Sequence, residues 1–536
     1  MSAPKVTTTL VDQSTRVNTT GTYNTAIVIA AKKGEINKPI KVTGQTDFLR
    51  KFTPNERIEI GWDMAYYEAY QYLKEQNGLY VVRAAHTEDL PTDENDYTVL
   101  YGGCVIKRKE SENSNISCEQ GFADPKKYSF QDDDVLLIYG NNEGAFNNDL
   151  SVAIVTDQEE VKLEGAFLIK VYRNKTLLET HTCSLDPSMK NGYGTNCFVE
   201  TVLESSLYIR ALSNAFPNEN GEYDQPKEQT VKQLLPLKGG SDGSAVTDAD
   251  RIKALKTLNN LNDVNIQLVL DGGNTTTTYQ KAIQDLCTAR NDSCHGIIST
   301  KYEDEVTSDP LTAIRKYRKE DLNMNNYSME MYTPHQMIYD EFNDRNIYIS
   351  AGPFVASLIM KYATERGWHW AVAGYNRGIV PSLDVAKAFE PSIVDELSDM
   401  QINTIVKDPG SGNIIMDELT MQTKASDMQD AHISRYLNIY LRPAIKESLK
   451  PFLFEFNDDE TRTVITQMLD TFMQPQKSAR AVYDYRIVCD ESNNSDSDIE
   501  NNILNCWLYV KPTKIAKWIK QSIIVTPYSV DLSSLS

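Results

Sequence analysis

Strand and helix signals alternate in two separated blocks of this chain, and that order constrains the fold more than any other feature. The first block opens with the apolar run Ala26-Ile27-Val28-Ile29-Ala30-Ala31, closing near Gly34. A helix follows from about Ile60 to Gln76, stopped by Asn77-Gly78, and Leu79 to Ala84 reads as a second buried strand. The second block covers residues 231 to 366. Thr247 with Asp250 caps a helix through about Leu261, Ile266 to Leu270 is a strand, and Thr278 to Arg290 is a helix. Gly296 to Ser299 is a short strand, and Ser308 followed by Pro310 opens a helix through Leu322. Ile347 to Ser350 is a strand and Pro353 to Arg366 a helix. This alternation predicts an α/β layer around a largely parallel sheet, because crossover helices are what join parallel neighbours.

Between the blocks, from about 88 to 200, the helical period disappears. Val135 to Tyr139, Leu150 to Val155, Ala166 to Tyr172 and Cys197 to Leu203 read as strands separated by Asn, Asp and Gly turns. The last part is α+β. Ile402 to Val406 and Asn413 to Met416 flank a Pro409-Gly410-Ser411-Gly412 hairpin. Helices over about 427–450 and 458–473 come next, then strands at Ala481 to Val488 and Cys506 to Val510 around a helix near Asp496.

The ends differ from the body. Residues 1–22 are polar and Thr-rich, with β-prone Val6, Thr8, Leu10 and Val11 but too few apolar groups for a core. Trp518 to Val525, with Ile519 and Ile523, is again strand-prone. Both read as extended arms able to add a strand elsewhere. The expected class is therefore α/β and α+β multidomain. It comprises an N-terminal arm (1–22), a discontinuous α/β core (23–88 and 205–385), a mostly β insertion (89–204), an α+β C-terminal domain (386–514) and a C-terminal arm (515–536).

Charge bounds the partners. Lys and Arg number 54 against 75 Asp and Glu among 536 residues, a net charge of −21. Such a surface repels nucleic acid and anionic membranes, so neither is an expected partner. Copies of the chain also repel one another, so any assembly needs specific contacts and should respond to salt. The eight cysteines form no C-x-x-C pair, the start has no apolar run behind a basic end, and no 18-residue apolar stretch occurs. Synthesis in a reducing cytoplasm is the expectation.

Chemistry-bearing motifs are sparse. There is no G-x-x-x-x-G-K-[ST], no G-x-S-x-G and no H-E-x-x-H. Gly239-Gly240-Ser241-Asp242-Gly243 lacks the helix-start Lys and the alternating carboxylates of phosphate and calcium loops, and reads as structural. Cys287, Cys294 and His295 lack a fourth ligand and read as packed thiols beside a histidine. Asp132-Asp133-Asp134 reads as a solvated loop. No catalytic, cofactor or metal residue is assigned. Lys511, Lys514, Lys517 and Lys520 stand out against the acidic whole. They serve either solubility and edge protection or docking onto an acidic partner surface.

At the C-terminal end, Tyr485-Arg486-Ile487-Val488-Cys489-Asp490-Glu491-Ser492-Asn493-Asn494 resembles the V-x-C-D-x-x-x-N-[TN] run of contractile bacteriophage tail sheath proteins, continuing through Asp498-Ile499 and Leu508-Tyr509-Val510-Lys511-Pro512. Phe454-Glu455-Phe456-Asn457-Asp458 is similar to that family's F-E-x-N-D, and the helix with Arg435 to its R-R-L helix, with Tyr436 in place of the second Arg. Gly144 to Leu150 resembles G-x-W-G-N-x-L, with Phe146 and Asn147 where Trp and Gly are usual. Leu237 to Gly243 resembles L-x-G-G-x-D-G, and Tyr80-Val81-Val82-Arg83 fits the opening domain. The expected G-x-[KR]-T is missing at Met416 to Thr420.

The resemblance implies a structural subunit, not an enzyme. It would polymerise as stacked hexameric rings around an inner tail tube and contract to drive the tube through a host envelope. Partners would be further copies of the chain, the tail tube protein, and baseplate and tail terminator proteins. Localisation would be the virion tail. It also implies that the arms link subunits by strand addition, and that the energy of contraction is stored at assembly. Two alternatives remain: the sheath of a bacterial contractile injection system or bacteriocin, and a cytoplasmic α/β enzyme with a β insertion.

Overall fold

The computed structural model describes residues 23–87, 98–107, 121–131, 134–214, 216, 217, 223, 234–261 and 263–523. They fall into two compact units. The larger holds the described residues up to Trp368 together with Val372–Tyr440, and the smaller holds His369–Ala371 and the described residues from Leu441 onward.

The larger unit is built on a nine-stranded sheet. Six strands run parallel, in the spatial order Ile402–Asp408, Met329–Thr333, His295–Ser299, Leu268–Leu270, Thr25–Ile29, Leu79–Arg83. Pro39–Val42 closes one side antiparallel, and Gly412–Ile415 with Ile379–Val380 closes the other. These strands are apolar on both faces because helices cover both. Ala26, Val28, Val269, Ile298, Met331 and Ile402 pack with Leu255, Ile283, Ile314 and Leu397 of four helices. Helices Ala65–Glu75 and Gly352–Glu365 contact the same strands through their other face. Each fully buried Leu, Ile or Met contributes roughly 1.5–3 kcal/mol of transfer free energy. Helix Asp248–Lys256 begins with the expected capping box, Thr247 accepting from the Asp250 amide and Asp250 from the Thr247 amide.

Three parts depart from the sequence reading. The strand at 347–350 is Arg345–Ile349, which pairs antiparallel with Gln336–Asp340 in a separate small sheet. The cause is local: Asp340 accepts from the Phe342 amide at 3.1 Å, Asn343 Nδ2 at 2.8 Å and Arg345 Nε at 3.2 Å, which reverses the chain at once. The hairpin Ile402–Asp408 and Gly412–Ile415 forms as expected, but its first strand lies beside Met329–Thr333. Residues 386–440, grouped by pattern with the C-terminal domain, thus supply part of the central sheet. Finally, Val199–Leu203 is a short helix rather than a strand.

The insertion is two antiparallel sheets over one core. Gly103–Lys107, Asp134–Gly140 and Ile209–Ser213 form one; Leu235–Pro236, Leu150–Val155, Phe167–Arg173 and Thr176–Cys183 form the other. Ile106, Leu136, Ile138, Val152, Phe167 and Ile169 meet between them. Strands 209–213 and 235–236 carry this body past its expected end at residue 204. Asp134 is not solvated: it is buried, accepting from Tyr128 Oη at 3.0 Å and the Gln131 amide at 2.8 Å, while Asp132 and Asp133 lie outside the described residues.

Candidate assembly interface

The smaller unit has a thin core. Ile465, Met468 and Leu469, on helix Asp459–Ser478, pack with Cys489 against the partly buried Ile445, Leu449, Phe452, Ile487, Leu504 and Cys506. Asp458 caps the helix, accepting from the Thr461 amide at 2.9 Å. Above it lies a sheet of only two strands, Val482–Val488 antiparallel to Trp507–Pro512. Among the described residues neither strand has a second neighbour, so each offers a row of backbone donors and acceptors at its outer edge. A two-stranded sheet is marginal alone and is stabilised by further strands. Tyr483, Trp507 and Tyr509 stand half-exposed or more on it.

The C-D-x-x-x-N-N run shows what holds the two strands in register. Asn493 Nδ2 donates to the carbonyls of Val488 at 2.9 Å and Asn505 at 3.1 Å. Asn494 Nδ2 donates to Asp490 O and Asn505 O, and its Oδ1 accepts from the Asn505 amide at 2.6 Å. Both side chains are buried. They clasp the beginning and the end of the 489–506 connection, which an apolar residue of similar size could not do. Ser495 and Asp498 then form a capping box for helix Asp496–Glu500.

The expected site residues are placed as follows. Val6, Thr8, Leu10, Val11 and Val525 lie outside the described residues. Ile519 and Ile523 are in neither helix nor strand and are 89% and 82% exposed, with Trp518 at 84%. Lys511 is the last residue but one of the second strand, its ammonium 4.9 Å from the centre of the Tyr483 ring. Lys514, Lys517 and Lys520 follow in a segment without helix, so the three-residue spacing makes no common helical face. Among the described residues no group of His, Cys, Asp or Glu is placed to hold a metal ion. Cys287 and Cys294 are buried with their sulfurs 3.7 Å apart, and His295 faces Glu330 instead.

Sequence reading missed two constellations in the larger unit. Arg435 is buried in an ion cluster, donating to both oxygens of Glu330 at 3.0 and 2.8 Å and paired also with Glu418. Glu330 further accepts from Tyr332 Oη at 2.9 Å and meets His295 Nδ1 at 3.0 Å, while Glu418 accepts from the Val372 and Ala373 amides. Burial alone would raise the Glu330 carboxyl, but the Arg435 charge and the His295 and Tyr332 hydrogen bonds hold it below its ordinary value. Burial lowers His295. A charged residue amid apolar neighbours was the available signal; its distant partners were not legible.

The second constellation joins the insertion to the sheet. Arg83, buried at the end of its strand, donates to the carbonyls of Ala31, Gly34 and Glu143, each at 2.8 Å. The turn Gly144 to Leu150 lies against the Gly239 to Gly243 loop. Asn148 exchanges two hydrogen bonds with Gly240, at 2.8 and 2.9 Å, and Asp242 accepts from the Ala145 amide at 2.9 Å and pairs with Lys32 at 3.0 Å. A Cβ on Gly240 would stand 2.5 Å from the Gly144 carbonyl oxygen, so no larger residue fits there. The glycine-rich loop is thus a clasp rather than an anion cradle.

Comparison with known proteins agrees with the resemblance read from the sequence. Residues 423–526, which contain the two-stranded sheet, match the phage tail sheath C-terminal domain family. The chain is 26% identical over 382 residues to the tail sheath protein of Vibrio phage KVP40, covering 67% of this chain and 54% of that protein. It is 25% identical over 393 residues to that of Enterobacteria phage T4, covering 70% and 58%. The chain therefore spans little more than half the length of these relatives. Two solved structures share the fold. One is a sheath tail protein from Listeria innocua (TM-score 0.55, 11% identity, 92% of this chain and 96% of that one). The other is the helical sheath of the anti-feeding prophage in its contracted state (0.51, 12%, 98% and 99%).

Proposed function

We propose that this chain, related to phage tail sheath proteins through its C-terminal domain and its curated relatives, is the structural subunit of a contractile tail sheath. In this reading it polymerises as stacked hexameric rings around an inner tail tube and contracts to drive the tube through the host envelope. The observation that carries the reading is the two-stranded sheet Val482–Val488 and Trp507–Pro512, without a further strand on either edge among the described residues and inside the segment that matches the sheath family.

The arms, residues 1–22 and 515–536, supply the missing strands to adjacent copies. Each backbone hydrogen bond so formed contributes about 0.5–1.5 kcal/mol net, and alternate side chains add contacts. Linked copies can then rotate without separating. The C-terminal domain faces the tube and the β insertion faces outward. Baseplate and terminator proteins hold the ends, and no catalytic step is required. The sheath of a bacterial injection device is the second reading, favoured by the 98% coverage against the anti-feeding prophage sheath.

Negative-stain microscopy of the purified full chain tests both. Tubes built of stacked rings are expected. A small defined oligomer at every protein and salt concentration would sink the sheath reading.

A further inference from the structure

Beside the joint between insertion and sheet lies a pocket of about 510 Å³ whose charge opposes that of the molecule. Six of its seventeen lining residues are basic, namely Lys33, Lys38, Lys41, Arg50, Lys51 and Arg173, against 54 of 536 in the chain. Its acids are Glu35, Asp47 and Glu56. Two of these are engaged, Glu35 with Lys38 at 2.5 Å and Asp47 with Lys51 at 2.9 Å. Among the lining residues that leaves Lys33, Lys41, Arg50 and Arg173 with Glu56, and Glu179 outside the lining is a further carboxylate acting on Lys33.

The excess is partly buried. Lys33 is 6% exposed, its ammonium donating to the Arg50 carbonyl at 2.8 Å. Burial and the nearby Arg173 charge pull its pKa down to about 8, so it stays largely cationic at neutral pH. Lys33 and Arg173 both sit over the Tyr208 ring, at 5.5 and 5.4 Å from its centre. Arg173 is tied by one nitrogen to the Pro54 carbonyl at 2.7 Å, but its Nη2 is buried without an acceptor. Holding like charges together beside an unused donor costs stability, which the Glu56 and Glu179 charges acting on Lys33 offset only in part. The walls, with Ile40, Leu207 and Tyr208, give the pocket an apolar side as well. The volume is that of a small-molecule site, and the lining is mostly charged.

We propose that this pocket binds a small polyanion, one presenting a phosphate group or adjacent carboxylates to Arg50, Arg173 and Lys33. Bidentate guanidinium contacts fix the oxyanion, and Tyr208 packs against the remainder of the ligand. The proposal is independent of the sheath reading.

Calorimetric titration of the full chain with sodium pyrophosphate at fixed ionic strength tests it. Saturable 1:1 binding is expected, weakened at least tenfold (about 1.4 kcal/mol) in Arg50→Gln. That side chain is exposed and supports nothing else among the described residues. Arg173→Gln should weaken binding further, and Lys407→Gln, on a distant strand, should leave it unchanged. Absence of saturable binding, or equal binding by Arg50→Gln and the wild type, overturns the proposal. If pyrophosphate fails to bind but Arg50→Glu abolishes self-association, the pocket receives carboxylates of a second copy, and the small-ligand assignment is likewise overturned.

Discussion

The two sheets at the centres of the two units are opposites. The nine-stranded sheet is covered on both faces and completed on both sides by the chain's own antiparallel strands. Among the described residues the sheet of Val482–Val488 and Trp507–Pro512 has two strands, one covered face and aromatic residues in solvent. The first carries its stabilising energy within the fold. The second has backbone groups whose best partners are strands it does not contain. On the described residues, then, the larger unit is a self-sufficient body and the smaller holds a layer open at both edges, and that open layer is where association should be decided. The contrast can be broken by variants that strike one sheet and spare the other, taken here in order of expected loss of folding stability.

Arg435→Met should cost most. It removes one partner of a buried cluster and leaves Glu330 and Glu418 uncompensated, a loss of about 3–5 kcal/mol in the chemical unfolding of the larger unit. The same cluster sets a pH dependence. His295 is held below its ordinary 6.5, so the unfolded chain binds more protons as pH falls through that value, and stability drops. Glu330 is held below 4.5, so its contribution is complete above that pH and vanishes as pH falls through the folded value. Asp271, raised to about 6 by burial, and Glu68 and His335, also raised, act in the opposite sense, so the cluster is read from a difference: the melting temperature of the wild type minus that of Arg435→Met should shrink from pH 7 to pH 4. A difference that stays constant with pH would mean the cluster is not what anchors this sheet.

Asn494→Ala should cost less, about 1–3 kcal/mol, because it leaves the Asn505 amide without its acceptor and takes one of two donors from the Asp490 and Asn505 carbonyls. The loss should appear only in the transition of the smaller unit, and hydrogen exchange should quicken in strand Trp507–Pro512. Protection lost in the larger unit instead would erase the contrast between the two.

What the sequence disclosed follows the same division. Periodicity and caps are local, so the β-α-β order and the Thr247 capping box were readable. Pairing is not local. The hairpin at 402–415 reads as two strands anywhere, and only the tertiary fold sets it beside Met329–Thr333. Val199–Leu203 is rich in β-branched residues (Val199, Thr201 and Val202), yet forms a helical turn over Ile209–Ser213, because packing overrides so short a preference. The candidate interface was legible as composition, in core-poor ends and a lysine series. Its receiving edge was legible only as a strand pair, since a free edge is a statement about absent neighbours. Asn493 and Asn494 could be quoted as a motif, but their use as a clasp depends on Val488 and Asn505 being brought together.

The smallest cost to folding should come from the ends, where the effect on assembly should be largest. Changing Lys511, Lys514, Lys517 and Lys520 to Glu alters exposed side chains, and surface charges of this kind contribute about 0–1 kcal/mol each. Sedimentation should show a soluble chain with an unchanged unfolding transition but fewer or shorter tubes; normal tubes would leave these lysines a solubility role only. Removing residues 1–20 goes further in the same direction. Those residues lack the apolar content to build a core, so their loss should leave the unfolding curve of the remaining chain unaltered. If they complete the two-stranded sheet of a neighbour, the truncated chain should stay monomeric at concentrations where the full chain forms tubes. Mixing it with intact chain should shorten the tubes, because each truncated copy offers an edge but no N-terminal arm. Tubes of full length from the truncated chain alone would show that the unfinished sheet is completed by something other than the N-terminal arm.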